Sequence, residues 1–452
     1  MTPAAQVQAA IELLGLIEAG GKPADRQLND YFRERRFAGS KDRRRIGDLV
    51  YRVLRQQAHL DWWRARVVSQ EAPSYRGGEG AARPRMIAAL ALADGADAVP
   101  PLFDGSSYGP AALSAAEAAW LGALDNSALV HAEQPDWVRG EVPQWLFPAL
   151  RDSLGECVFE ELEALGKPAP LDLRVNSLKA ERAGALAALA AEGIDCAPTP
   201  LSPLGLRVAG RHQLPSLRVF QDGSVEVQDE GSQIVALLCD ARPGMAVADL
   251  CAGAGGKTLA LGAAMEGEGR LVALDLDAKR LARARPRAQR AGLEAVDFRA
   301  LEGDDDPWLG ANSGGFDRVL VDAPCSGSGA WRRHPEARWR LTPTDLNRYR
   351  AAQRDVLSKA AHLVRPGGRL IYATCSLLRA ENQAAVADFA ERHPGFSLLP
   401  PDGLWRAAGL PGRCPAEDDM LLLTPARHGT DGFFVAVLER AVLERRARPS
   451  DG

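Results

Sequence analysis

The chain has 452 residues, 46% hydrophobic and 25% charged, a globular composition long enough for two or three cores and unlike a single small domain. A net charge of −4 excludes a uniformly basic RNA coat, although residues 33–66 hold eleven Arg/Lys against four Asp/Glu and so carry a local basic face. The seven cysteines, Cys157, Cys196, Cys239, Cys251, Cys325, Cys375 and Cys414, include no Cys-x-x-Cys pair and no histidine-rich cluster; this excludes a disulfide framework and a zinc site and fits reduced thiols in a cytosolic protein with no metal.

The first twenty residues lack a basic start, carry Glu12 and Glu18, and space Val7, Ile11, Leu14 and Ile17 as on a helix, so they read as an amphipathic helix rather than a secretory signal. No apolar run reaches the roughly 18 residues a membrane helix needs, so a soluble cytoplasmic protein without a membrane partner is expected.

Residues 1–140 read as an all-helical module, with helices expected over 7–19, 43–67, 86–93 and 111–124 and Gly/Pro/Ser-rich breaks at 72–85 and 95–110. Within it, Lys41 to Arg55 alternates an Ile/Leu/Val stripe with arginines; one face can pack while the other meets phosphates or water, and the pattern allows both.

Residues 141–222 read as linker helices and a small α+β subdomain: a strand over 171–175, an Ala/Leu-rich helix over 179–192, and extended pieces at 206–208 and 219–220. From 223 to 441 strands (246–250, 271–276, 316–322, 369–373) alternate with helical stretches, which predicts a parallel, doubly wound α/β sheet whose ligands bind beyond the carboxyl ends of the strands. Residues 432–438 supply a late strand expected to close the sheet, and 442–452 are expected to form a disordered tail.

Asp249-Leu-Cys-Ala-Gly-Ala-Gly-Gly-Lys-Thr258 follows the first of these strands and leads into a helix, where glycines let the backbone approach a ligand and the helix start offers free amides. The cofactor-binding set expected here is Cys251, Ala252, Gly253, Ala254, Gly255, Gly256 and Lys257, joined by Asp275 at the end of the second strand, where a carboxylate grips ribose hydroxyls. Together they point to an adenosine-containing cofactor. A phosphate-binding P-loop fits worse, because the first glycine of that pattern falls on Cys251.

Free cysteine is usually a small core residue, the reading adopted for Cys157, Cys196, Cys239 and Cys414. Cys325, in Asp322-Ala-Pro-Cys-Ser, and Cys375, in Tyr372-Ala-Thr-Cys-Ser, differ because each ends a strand of the sheet that carries the glycine loop. Pro324 and the Ser-Gly-Ser-Gly run after Cys325 break local structure and favour an accessible thiol.

With these motifs, and with Arg332-Arg-His-Pro-Glu336, Glu381-Asn382, Asp431-Gly-Phe-Phe434, Arg174-Val-Asn-Ser-Leu-Lys179 and Val227-Gln-Asp-Glu-Gly-Ser-Gln233, the chain resembles the Sun/Fmu family of RNA 5-methylcytosine methyltransferases over nearly its whole length. The resemblance implies a Rossmann-like S-adenosylmethionine-dependent methyltransferase domain over 223–441, preceded by a NusB-like RNA-binding helical domain and an RRM-like subdomain. It implies Cys375 as nucleophile, Cys325 as the residue that helps release product, and S-adenosyl-L-methionine as cofactor. The expected substrate is RNA, 16S ribosomal RNA ahead of transfer RNA, and the expected state a monomer; a catalytically inactive RNA-binding assembly factor is the rival from another class, disfavoured by retention of both cysteines.

The chemistry stands without the family name. Carbon 5 of cytosine is a poor nucleophile until something adds to carbon 6, and a thiolate both attacks and leaves well. Asp322 can hydrogen-bond the cytosine amino group and favour protonation at ring nitrogen 3; it is also placed to touch cofactor. An ordinary cysteine is only a few per cent thiolate at neutral pH, so a cation must help, with Lys257, Arg332 and Arg333 available. Arg332, Arg333, Arg338 and Arg340 interleaved with Trp331 and Trp339 form either a strip for RNA or a tryptophan-anchored loop.

Two departures from the family pattern stand out. Ala254 replaces the usual proline of the cofactor loop, which predicts a more mobile loop, and the acid expected to approach adenine must come from Asp304, Asp305 or Asp306, with Asp304 preferred. Pro286 predicts a kink or early end in the helix after the second strand.

Overall fold

A computed structural model describes residues 1–67, 80–210, 212–303 and 306–442. The expected tail over 442–452 lies, but for its first residue, outside the described residues. Backbone contacts divide the chain into two units: Met1–Pro168 together with Trp331–Leu341, and Ala169–Ala330 together with the chain from Thr342 onward. Among the described residues no helix is long and apolar enough to cross a membrane.

The first unit is helical, with a core from Pro3–Ala19, Ala24–Glu34, Ser40–Arg55, Gln57–Val67, Ala82–Asp94 and Ala115–Ala123. Val7, Leu14 and Ile17 face that core as their spacing predicts, and Ile11 is partly buried against it. The stretch expected as one helix over 43–67 is two: Gln56 leaves the helical region at φ −122° and its N–H turns back to Val53 O. The helix Ala24–Glu34, not expected from the sequence, is short and charged, and buries only Ala24, Leu28, Tyr31 and Phe32.

The segment Trp331–Leu341 belongs to this helical unit and settles the reading of its arginines and tryptophans. Trp331 and Arg338 are fully buried; Arg338 donates to the carbonyls of Glu141 (3.0 Å) and Leu165 (3.2 Å) and lies 5.4 Å from the Trp331 ring centre. Arg340 donates to Ile17 O and Lys22 O, and Glu336 accepts from Ala24 N. Arg338, Arg340 and Glu336 thus serve backbone groups around a buried Trp331, the arrangement of the tryptophan-anchored loop.

The second unit opens with a four-stranded antiparallel sheet: β1 Leu171–Val175, β2 Cys196–Pro198, β3 Gly205–Val208 and β4 Val225–Val227, in the order β2-β3-β1-β4. The helix Arg182–Ala191 joins β1 to β2, and Arg218–Gln221 joins β3 to β4, a ferredoxin-like βαββαβ unit. The latter was expected to be extended; it is a helical turn because the Glu192 carboxylate accepts the amides of Arg218 and Val219 that open it.

The large sheet contains β5 Ala246–Leu250, β6 Arg270–Asp275, β7 Val296–Ala300, β8 Phe316–Asp322, β9 Val364–Thr374, β10 Phe396–Leu398, β11 Ala416–Glu417, β12 Met420–Leu423 and β13 Phe433–Arg440. Its order is β11-β12-β13-β9-β8-β5-β6-β7, with β10 also paired to β13. Strands β5 to β9 are parallel, and β13 enters antiparallel between β9 and β12. The late strand therefore lies inside the sheet and does not close it. Its unbroken buried run Phe433–Leu438 is the pattern of a strand covered on both faces.

Strand order reverses at β5: β6 lies to one side and β8 to the other, which opens a crevice at their carboxyl ends. The interruption expected at Pro286 appears as two helices, Ala278–Leu281 and Ala284–Ala291, with Pro286 in the first turn of the second, where its missing N–H costs nothing.

Candidate active site

The glycine loop leaves β5 with Cys251 at φ +67°, Gly253 at +59° and Gly255 at +80°. Three left-handed residues in five fold the chain back over the strand end, and a side chain on Gly255 would meet Ala284 Cβ at 2.7 Å. Asp275, at the end of β6, accepts Gly253 N at 2.7 Å and Asp277 N at 2.8 Å, so this carboxylate orders the loop as well as facing the crevice edge.

Arg287 donates to Ala254 O at 2.6 Å and pairs with the buried Glu226 at 3.0 Å. A loop expected to be looser for want of its proline is pinned instead by a guanidinium that the sequence pattern did not reveal.

Lys257, in the first turn of the helix Gly256–Ala264, is buried and donates to Asp322 Oδ2 at 2.8 Å, with its ammonium 5.1 Å from the Phe433 ring centre. Burial pushes its pKa down, but the charge and hydrogen bond of Asp322, with the charges of Cys375 and Asp249, raise it overall, so it stays a cation. Asp249 is fully buried; one oxygen accepts from Thr258 at 2.5 Å while Oδ1 has no partner, and burial lifts its pKa to about 7. An orphaned buried carboxylate oxygen next to the glycine loop fits an ammonium group, and at Gly256 nothing stands within 4 Å of where a side chain would begin.

Cys325 follows β8 and Cys375 follows β9, and their sulfurs are 3.5 Å apart. The hydrogen bond to Cys375, then burial, then the charges of Cys375 and Glu381 hold the Cys325 thiol well above its ordinary pKa. Cys251 is also pushed up to about 12 by burial, followed by the charges of Asp275 and Asp322, and is no nucleophile. Cys239 and Cys414 are buried, as core thiols should be.

The strand ends thus bring together the loop Cys251–Lys257 with Asp275, Asp322, Cys325 and Cys375. Asp304 lies outside the described residues, and its neighbour Asp306 is structural, accepting Glu302 N and Trp308 N at 2.9 Å each to start the helix Pro307–Ala311. The sequence pattern assigns no role to Asp249 or Arg287, and it marks Glu381-Asn382 only as part of the family resemblance, with the serine after each cysteine, Ser326 and Ser376, as a second visible signal.

The model of the family "16S rRNA methyltransferase RsmB/F" matches residues 236–439, and its ferredoxin-like domain matches residues 142–214. The chain is 34% identical over 307 residues to the probable ribosomal RNA small subunit methyltransferase B of Bacillus subtilis (66% of each chain). It is 34% identical over 310 residues to that of Synechocystis sp., across 66% of this chain and 67% of the relative. The match thus spans about two thirds of these relatives' length. The crystal structure of PH0851 superposes with a TM-score of 0.74 at 25% identity, covering 97% of this chain and 99% of that one. With the doubly wound sheet and its paired cysteine loops, these matches establish that the chain belongs to the RsmB/F family of 16S rRNA methyltransferases.

Proposed function

We propose that this protein transfers a methyl group from S-adenosylmethionine to carbon 5 of a cytosine in RNA, with 16S ribosomal RNA as substrate, through a covalent bond to Cys375. The observation that carries the reading is the 3.5 Å approach of two thiols at the carboxyl edge of the sheet, beside a glycine loop and a buried lysine. One thiol can form an adduct while the other stands next to it to act on the same base.

S-adenosylmethionine, when bound, supplies an electrophilic methyl group. Asp275 is placed for ribose hydroxyls and the free Asp249 oxygen for the ammonium of the methionine part. Cys375 Sγ, with Lys257 as the nearby positive charge, adds to carbon 6 and the electron pair moves to carbon 5, the atom that would accept the methyl group the cofactor would supply. Asp322 receives the cytosine amino group and favours a proton on ring nitrogen 3. Transfer of the carbon 5 proton to water returns the electron pair, the carbon 6–sulfur bond breaks, and Cys375 leaves as a thiolate. Cys325 is held against that bond as release occurs.

The test is transfer of labelled methyl to protein-free ribosomal RNA and transfer RNA by wild type, Cys375→Ala and Cys325→Ala. The reading expects 5-methylcytosine in 16S RNA, none with Cys375→Ala, and a protein–RNA adduct that persists in Cys325→Ala. Label confined to transfer RNA would replace the substrate and keep the chemistry; RNA bound without label would leave an assembly factor.

A further inference from the structure

Behind the two cysteines lies a buried carboxylate that the methyl-transfer reaction does not use. Glu381 is fully buried, and its two oxygens accept four hydrogen bonds: Oε1 from Ser326 N (2.9 Å) and Gln353 Nε2 (3.1 Å), Oε2 from Ser326 Oγ and Ser376 Oγ (2.5 Å each). Ser326 follows Cys325 and Ser376 follows Cys375, so one side chain grips the residue after each thiol.

The surroundings fix Glu381 itself. Tyr372 Oη donates to its carbonyl at 2.6 Å, and the next residue, Asn382, accepts Thr374 Oγ1 at 2.6 Å and donates to Ser376 O at 2.8 Å. Gln353, from the helix Pro343–Leu363, shares its amide with Pro324 O, the carbonyl just before Cys325. The two cysteine loops also touch directly, Gly329 N to Cys375 O at 2.9 Å and Leu377 N to Ser328 Oγ at 2.8 Å. Those direct bonds join the loops beyond the thiols, and the carboxylate adds a bond to the residue immediately after each cysteine, where the spacing of the sulfurs is set.

We propose that Glu381 is a positioning residue that clamps the Ser326 and Ser376 loops together and thereby sets the distance between the Cys325 and Cys375 sulfurs. This rests on the two-cysteine reading above, in which Cys325 must reach the bond that Cys375 has made. Without the clamp Cys375 still meets the base, but Cys325 no longer stands at the bond to be broken.

The test uses the full chain and a probe that needs neither RNA nor cofactor. A trivalent arylarsenical condenses with two adjacent thiols, forming two arsenic–sulfur bonds and releasing water, and holds only a pair near van der Waals contact. Wild type should capture it, Cys325→Ser should not, and Glu381→Ala should lose capture while Glu381→Gln, which keeps an acceptor for the two N–H donors and an amide for the two hydroxyls, retains it. In methyl-transfer assays Glu381→Ala should lower kcat about a hundredfold, the cost of a misplacement near 1 Å, with KM for S-adenosylmethionine unchanged, and Glu381→Gln should restore most of it. If Glu381→Ala fails to fold, the double variant Ser326→Ala with Ser376→Ala reads the same distance. Capture by Glu381→Ala or the double variant at the wild-type level overturns the clamp, as does failure of wild type to capture. Capture that behaves as expected in a protein that methylates no RNA sinks the catalytic reading and leaves the clamp standing.

Discussion

Lys257 Nζ reaches Asp322 Oδ2 at 2.8 Å, tying the helix after β5 to the end of β8, so the cofactor loop and the first cysteine loop share one ion pair. The pair is nearly desolvated on the lysine side, with lysine and aspartate side chains 9% and 35% exposed. Its charge separation lasts only while both partners remain.

Lys257→Met is therefore expected to cost more than a surface pair would. It leaves Asp322 unpaired and removes the cation next to Cys375, so kcat should fall by about 10²–10³, the range for loss of one preorganised electrostatic group. Alkylation of Cys375 at neutral pH, followed by peptide mass analysis, should slow in parallel; an unchanged rate would separate Lys257 from the thiol.

Arg287→Met unpins the carbonyl of Ala254 while leaving Glu226 its second partner, Arg290. The expected outcome is a weakening of S-adenosylmethionine binding by about tenfold, or about 1.4 kcal/mol, in titration calorimetry, with little change in kcat at saturation. Equal affinity in the variant would show that the loop holds its shape without the guanidinium.

Asp249 gives the fold a pH signature. Burial raises its folded pKa to about 7, against an unfolded value of about 3.9, so between those values the folded state keeps a proton that the unfolded chain releases. Stability must then fall as pH rises through that window, by at most about 1.4 kcal/mol per pH unit, and flatten above about pH 7. Denaturant titrations of wild type and Asp249→Asn without ligand should differ in slope from about pH 5 to about pH 7; parallel curves would mean that Asp249 ionises normally.

Gly329 and Gly432 meet backbone to backbone: Gly432 N donates to Gly329 O at 2.9 Å, and a Cβ on Gly329 would fall 2.2 Å from Gly432 O. Gly329→Ala should destabilise by about 1–3 kcal/mol and depress activity, because its amide also holds Cys375 O. Gly310→Ala, where nothing stands within 4 Å of the added carbon, is the matched control and should be near neutral in thermal unfolding.

Much of this was legible beforehand for a physical reason. β5 and β8 match their expected spans because buried parallel strands read as largely apolar runs bounded by turn residues, β1 because Leu-Asp-Leu-Arg-Val alternates as an antiparallel strand does, and the crevice follows from the alternation of strands and helices. Cys325 and Cys375 stood out because each ends such a run. Arg287 did not, and Glu381 showed only as part of a motif without a role, since a charged residue in a helix or loop looks solvated until the fold places it against a carbonyl or two serines. β7 was missed because it is half-exposed and interrupted by Asp297 and Arg299, and β10 to β12 because they are too short to show a period.

The excursion Trp331–Leu341 makes the two units interlaced rather than modular. Cutting before Ala169 would leave the sheet-bearing piece with Arg338 stripped of the Glu141 and Leu165 carbonyls that receive it. Split into two polypeptides at that point, the helical half would have to recapture its missing strip from the other half's chain. Neither half is a transplantable cassette, and only five residues of chain separate Cys325 from Trp331.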